Sequence, residues 1–67
     1  MSVAKVMEIT SESPESFEHA IRVGIKRASN TVENIRSAWV KEQQVTVEDG
    51  RITSYRVNLK VTFILND

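Results

Sequence analysis

The residues best suited to bind a small molecule lie in the C-terminal half of the chain, where a tryptophan falls among polar side chains. From residue 51 to residue 65, apolar residues recur at every second position with polar residues between them. This is the pattern of a strand with one buried and one solvated face. The pair Asp49-Gly50 predicts a tight hairpin turn, because both positions must tolerate positive φ. Closing the hairpin there places Trp39 opposite Lys60, on the polar face.

A tryptophan on the polar face of a strand indicates a binding role. A large ring that meets water gains most from contact with another subunit or with a planar ligand. Stacking on an aromatic ring contributes about 1–3 kcal/mol, and Arg56 with Gln43 would donate hydrogen bonds to a carbonyl-rich ring edge or a phosphate. On the buried face, the same register pairs Val40 with Leu59 and Ala38 with Val61. On the polar face, it pairs Gln43 with Arg56 and Ser37 with Thr62.

Two other roles for Trp39 stay open at this point. Tryptophan and arginine are both enriched at the energetic centres of protein interfaces, so Trp39 could anchor a contact between subunits. It could also be an isolated surface residue, since apolar side chains are common on protein surfaces. Replacing Trp39 by alanine separates the first role from ligand binding, because an anchor would be needed for assembly and a binding residue for the ligand alone.

The composition predicts a single domain, residues 1–67, that depends on assembly for its stability. A chain of 67 residues buries only about 60% of its unfolded surface, so an isolated copy is marginally stable. Small scaffolds are usually held by disulfides, a structural metal or oligomerisation. The chain has no cysteine and a single histidine, His19, which leaves oligomerisation.

Charge and hydropathy argue against several classes of partner. The formal net charge is zero, whereas nucleic-acid binding needs a clustered excess of lysine and arginine. The longest apolar stretches are too short to span a bilayer, and the first residues lack the basic segment and apolar core of a secretory signal. We therefore expect a cytoplasmic protein that binds neither nucleic acid nor membrane.

The order of the elements predicts an α+β fold, β-α-β-β, with one helix packed on a three-stranded antiparallel sheet. Strands are expected at Val3–Ile9 and Ile35–Glu48, in addition to the last strand. Between the first two, Ser13 suits the helix cap and Pro14 the first helical position. Gly24 falls on the apolar side of the helix, which indicates a close approach of its backbone to the sheet.

The predicted helix is too short to cover the hairpin. Strands of about 14 residues extend roughly 45 Å, whereas a helix of about 16 residues covers about 24 Å. Val45, Val47 and Ile52 near the hairpin tip are expected on the face opposite the core, where no element of the same chain shields them. We therefore expect assembly to be obligatory.

Four segments of the sequence, in the order of the elements, are similar to those of a known family. They are Ser-Pro-Glu-Ser-Phe at the helix start, Thr-Val-Glu-Asn-Ile before the second strand, Glu-Asp-Gly at the hairpin turn and Tyr-Arg-Val-Asn-Leu-Lys-Val-Thr-Phe in the last strand. Together they resemble the dodecins, and the resemblance covers nearly the whole chain.

The resemblance implies a hollow shell of twelve identical subunits with cubic 23 symmetry, in which the helix lies on the outside. It implies binding of a flavin, riboflavin or FMN, in pairs near the two-fold axes, and of coenzyme A in some bacterial members. The role it implies is storage or sequestration of the flavin without turnover. On this basis we expect a ligand-binding homododecamer and no enzyme.

Two positions depart from the family pattern where the flavin lies. Ser37 stands where the family has its flavin-stacking tryptophan, and Arg56 stands where a glutamine commonly contacts the flavin ring. Trp39 is two residues beyond Ser37 and therefore projects from the same face about 7 Å further along the strand. We predict a modified ligand site formed by Ser37, Trp39, Gln43 and Arg56.

The alternative is a flavin-free shell that serves as a structural or calcium-binding assembly. Calcium takes about six to eight oxygen ligands, and the chain lacks an EF-hand loop, so several copies would have to share such a site. An enzyme is disfavoured, because no glycine-rich phosphate loop is present and His19 lies away from Trp39. The candidate oxygen donors are Glu42, Glu48, Asp49 and Asp67.

Overall fold

The computed structural model describes residues 2–65 and has the predicted element order. The three strands form one antiparallel sheet in the order β1-β3-β2, so the last strand of the chain is the central one. Both outer strands pair with β3 along most of its length, which explains why β3 has the clearest alternation in the sequence. The elements are β1 at Ala4–Ser13, helix α1 at Phe17–Ala28, β2 at Ile35–Glu48 and β3 at Arg51–Ile64.

Helix α1 covers one face of the sheet and forms the core with it. Val57, Leu59 and Val61 of β3 are fully buried beneath Ala20 of the helix, as the alternation of β3 predicts. We call the sheet face on which these three valine and leucine side chains lie the helix face, and the opposite face, which carries Trp39, the open face. The partly buried side chains around this core are Met7, Ile9, Phe17, Ile21, Ile25 and Ile35.

The start of the helix differs from the prediction. Ser16, not Ser13, is the N-cap, and its Oγ accepts a hydrogen bond from the backbone N–H of His19 at 2.9 Å. Ser13 is the last residue of β1, opposite Tyr55, and Pro14 precedes the helix instead of occupying its first position. Both serines are good caps, but pairing with β3 keeps Ser13 in the strand. The strand therefore extends beyond Ile9, and the helix has 12 residues.

Gly24 lies at a close contact between the helix and the sheet. A Cβ at this position would come within 2.9 Å of the Cβ and 3.2 Å of the Oγ of Ser11 in β1, closer than such atoms normally approach. The close backbone contact expected from the sequence is confirmed. A glycine is required there because strand and helix pack with no room for a side chain.

The turn of the hairpin has the predicted conformation. Asp49 and Gly50 have φ values of 51° and 77°, both in the left-handed region that a tight two-residue turn requires. At the other end of the hairpin, Trp39 lies opposite Lys60, again as predicted.

Two β-bulges displace the pairing of β2 with β3 between the turn and the Trp39–Lys60 pair. In this stretch Lys41 is an extra residue of β2 and Thr53 an extra residue of β3, and their shifts cancel; Arg36, a further extra residue of β2, lies outside the stretch. Between them the register is displaced by one residue, so Gln44 lies opposite Arg56. The predicted pairing of Gln43 with Arg56 is therefore wrong. The turn and the alternation fix only the average register, and bulges are additional residues that neither pattern reveals.

The bulges also bring the apolar side chains of the hairpin onto the helix face. Val45 pairs with Tyr55, whose ring meets that of Phe17 edge to face with centroids 5.1 Å apart. Val47, two residues on, shares this side with its partner Ile52. The prediction that these side chains face away from the core is wrong, because the bulge at Lys41 reverses the alternation for Val45 and Val47 and the bulge at Thr53 reverses it for Ile52. Val47 and Ile52 are nevertheless unshielded, as expected, at 60% and 55% exposed, whereas Val45 is partly buried.

Candidate functional site

Trp39 lies on the open face with its side chain 59% exposed. Its partner on β3 is Lys60, which in turn lies opposite Glu8 of β1. Lys41, the bulged residue, places its Nζ 3.2 Å from Oε1 of Glu8. The exposed indole therefore has Lys60 beside it in the register, and the same face also carries the ion pair of Lys41 with Glu8. This combination suits a flat ligand that carries negative charge, because the ring supplies a stacking surface and the lysines supply compensating charge.

Arg56 lies on the same face but is engaged by Glu12. The Nε and Nη2 atoms of Arg56 lie 3.0 and 2.9 Å from Oε1 of this carboxylate. Arg56 is also four residues from Lys60 along β3, which is about 13 Å. Within one subunit it does not lie beside Trp39. It would contact a ligand on Trp39 only from another subunit.

A row of hydrogen-bonded side chains separates Trp39 from Arg56. The Oγ1 of Thr10 donates to Oδ1 of Asn58 at 3.0 Å, and Nδ2 of Asn58 donates to Oε1 of Glu42 at 3.2 Å. The row crosses all three strands and fixes the side chains of the open face against one another. Glu42, which the sequence offered as a calcium ligand, is thus engaged by an amide.

Three of the four predicted site residues share the open face, and one does not. Ser37 lies opposite Thr62, one row from Trp39. Gln43 lies opposite Val57 and therefore on the helix face, because of the bulge at Lys41. The sequence reasoning missed both lysines near the indole. Lys60 was visible as the predicted partner of Trp39, and Lys41, two residues after Trp39, falls on the same face by the alternation of β2 alone.

A second set of side chains joins the end of β1 to the helix. The Oγ of Ser13 lies 2.6 Å from Nδ1 of His19 and accepts the backbone N–H of Glu15 at 3.0 Å. The Nε2 of His19 lies 3.0 Å from Oε2 of Glu15. A serine, a histidine and a carboxylate also form the relay of many hydrolases. Here the serine is only 2% exposed, so the set stabilises the start of α1 and offers no accessible nucleophile.

The part of the chain that the structure describes holds no group of three or more His, Cys, Asp or Glu side chains placed to bind one metal ion. Glu48 and Asp49 lie at the hairpin tip, and Asp67 is outside the described residues. Among residues 2–65, no helix has both the length and the apolar character needed to cross a membrane.

The fold and the open face can be compared with known proteins. The dodecin family model matches residues 3–66. This chain belongs to the dodecin family. Membership confirms the family and the fold predicted from the sequence, and identifies the chain as a small ligand-binding protein of the dodecin type. The twelve-subunit shell that the resemblance implies is consistent with this membership.

Several individual dodecins are similar over the whole subunit. A dodecin from Streptomyces davaonensis is 38% identical, with a TM-score of 0.94 over 98% of this chain and 97% of that one. A variant of the dodecin from Thermus thermophilus is 31% identical, with a TM-score of 0.94 over all of both chains. The calcium dodecin of Mycobacterium tuberculosis is 41% identical over 63 residues, 94% of this chain and 89% of the relative. Its crystal structure, described as having a novel calcium-binding site, gives a TM-score of 0.83 over 97% of this chain and 93% of that one.

Proposed function

We propose that this dodecin is a cytoplasmic sequestration protein that stacks a flavin, riboflavin or FMN, on Trp39 within a homododecameric shell. The supporting observation is the indole itself, 59% exposed on the polar face of the sheet. A ring left in water by its own subunit gains contact area only from a ligand or a second subunit. The ligand is held and released unchanged, which is the storage role that the resemblance to the dodecins implies.

The residues around Trp39 have separate roles in this proposal. Lys41 and Lys60 compensate the negative charge of an FMN phosphate. Ser37, about 7 Å away, leaves free the space that the stacking tryptophan of the family would occupy, so the ligand lies displaced toward Trp39. Arg56 contacts the ligand from a neighbouring subunit, where two copies of the open face meet and their indoles enclose the flat ring from both sides.

Titration of ligand-free protein with riboflavin and with FMN tests the proposal. Binding quenches both flavin and tryptophan fluorescence, and FMN binds more tightly than riboflavin because of the two lysines. Trp39→Phe retains binding and Trp39→Ala abolishes it, since only the former keeps a stacking ring. Coenzyme A, which the resemblance also implies, is tested as a competitor of bound FMN. Unchanged fluorescence at micromolar flavin would rule the flavin proposal out.

The mass of Trp39→Ala in solution distinguishes a binding residue from an interface anchor. A variant that keeps the wild-type mass and loses flavin supports the ligand role. A variant that falls apart into smaller species shows that the indole is first of all a subunit contact. An absorption spectrum of freshly purified protein adds an independent check, because bound flavin gives visible bands.

Calcium binding is the second candidate, and the similarity to the calcium dodecin of M. tuberculosis favours it. Glu42, Glu48 and Asp49 supply exposed carboxylates, and Ser37 replaces the family's stacking tryptophan. It ranks second because residues 2–65 of one subunit hold no ready-made metal cluster, so subunits would have to share the ion. Calorimetry with calcium and magnesium after chelation tests it. Absence of heat together with absence of metal in purified protein would remove this candidate.

A further inference from the structure

We infer that Glu12, held beside Arg56 on the open face, is a specificity-determining residue that selects flat ligands whose ring edge carries an N–H next to a carbonyl. The inference rests on the proposed function, in which Arg56 contacts the ligand, and it names the ring edge that the site accepts. Arg56 supplies hydrogen-bond donors alone, and Glu12 adds the acceptor that an N–H requires.

Glu12 and Arg56 form a fixed pair across β1 and β3. They are register partners near the end of β1, and Gln44 of β2 continues the row on the other side of Arg56. The Nε and Nη2 atoms of Arg56 lie 3.0 and 2.9 Å from the same carboxylate oxygen, Oε1 of Glu12. Two contacts to one oxygen hold the guanidinium plane against the carboxylate, so both groups are oriented before a ligand binds.

The pair leaves an acceptor atom and a donor atom available to a ligand. Among residues 2–65, the contacts of the Glu12 carboxylate all use Oε1, and those of the Arg56 guanidinium use Nε and Nη2. Oε2 of Glu12 and Nη1 of Arg56 are therefore not engaged within this range. The two side chains are 44% and 40% exposed, so a ligand can reach both. The open face thus presents an acceptor beside a donor.

The carboxylate changes which ligands the arginine recognises. A guanidinium has N–H donors and no acceptor, so by itself it binds ring carbonyls and phosphates alike. An ionised carboxylate only accepts hydrogen bonds, so it requires an N–H on the ligand. Together the two groups match a ring edge with a carbonyl beside an N–H, which is the arrangement in the pyrimidine ring of a flavin. A ligand methylated at this ring nitrogen loses the contact with Glu12 and places an apolar group against a carboxylate.

A purely structural role for the ion pair makes a different prediction. Exposed ion pairs contribute little to stability, and this pair lies on the face of the sheet opposite the core, so the loss of Glu12 leaves the fold intact. If Glu12 only held Arg56 in place, its loss would weaken every ligand that Arg56 contacts by the same factor. Selection for the ring N–H is the property that distinguishes recognition by Glu12 from support of Arg56.

Riboflavin and 3-methylriboflavin, in which the ring N–H is replaced by N–CH3, test the inference by fluorescence titration. Neither carries a phosphate, so the lysines of the open face do not distinguish them. We expect the wild-type protein to bind riboflavin about 10- to 100-fold more tightly, the effect of one hydrogen bond to a charged group.

Three variants locate this selectivity. Glu12→Ala brings the two dissociation constants together, because the acceptor is gone. Glu12→Gln retains part of the difference, because its amide oxygen still accepts a hydrogen bond. Glu18→Ala is the matched control: it removes a carboxylate that pairs with an arginine, Arg22, on the helix, and it leaves the ratio of the two constants unchanged.

The possible failures are distinguishable. Equal binding of the two flavins by the wild-type protein overturns the inference and leaves the flavin proposal intact. Weaker binding of both by Glu12→Ala, with an unchanged ratio, overturns it as well and shows that Glu12 only positions Arg56. Binding of neither flavin by the wild-type protein removes the proposed function and this inference with it. Circular dichroism and the mass in solution verify that each variant is folded and assembled, so that a changed ratio reports on recognition.

Discussion

Gly24 shows at the level of one residue how closely α1 is packed on the sheet. A methyl group there would meet the Cβ of Ser11 at 2.9 Å, and neither backbone can move away without disturbing the core beneath. The pattern of the sequence placed this glycine on the apolar side of the helix, and only the structure identifies the atoms that exclude a larger residue.

Gly24→Ala is expected to lower the free energy of unfolding by about 1–3 kcal/mol through overpacking. The gain of about 1 kcal/mol in helix propensity does not compensate for the contact with Ser11. Urea unfolding at fixed subunit concentration measures the difference. In a Ser11→Gly background the clashing atoms are absent, so the same substitution should cost nearly nothing. A Gly24→Ala variant that is more stable than wild type would show that the helix shifts easily.

Ser13→Ala is expected to cost about 1–3 kcal/mol, because it leaves the backbone N–H of Glu15 and Nδ1 of His19 without their partner in a part-buried position. Ser29→Ala is the matched control: its Oγ donates to the carbonyl of Lys26 at 2.8 Å in an exposed position, and it should cost less than about 0.5 kcal/mol. Chemical denaturation compares the two. Equal losses would contradict the role assigned to the buried hydroxyl.

Among the elements, the hairpin has a turn and a buried face that follow from the sequence, and bulges that do not. The Asp-Gly pair requires positive φ at both positions and thereby predicts the turn, and alternation predicts which residues of β3 are buried. The bulges at Lys41 and Thr53 follow from neither. Each bulge adds one residue to its strand and moves the side chains beyond it to the other face. For this reason Gln43 lies on the helix face and not at the predicted site.

Gly50→Ala is expected to destabilise the hairpin by about 1–2 kcal/mol, since its φ of 77° is unfavourable for a residue with a Cβ. Asp49→Asn should change stability little, because asparagine tolerates the left-handed conformation at this turn position. Thermal unfolding followed by circular dichroism compares the two variants. Similar behaviour of both would mean that the turn conformation does not limit hairpin stability.

For the whole molecule, stability should depend on protein concentration. The subunit is small, 67 residues, and leaves Trp39, Val47 and Ile52 more than half exposed, so association contributes to folding by mass action. We expect the thermal midpoint to fall measurably on hundredfold dilution. A midpoint independent of concentration would show that the single subunit is self-sufficient.

The sequence by itself determined the element order, the turn, the buried face of β3 and the exposure of Trp39, because each depends on the period of side chains along a single strand or on the φ that a residue tolerates. Its similarity to the dodecins extended this to the family. The tertiary structure decided where β1 ends, which serine caps α1, and which side chains join Trp39 on the open face. These depend on pairing between distant strands, where one bulged residue transfers Gln43 to the other face.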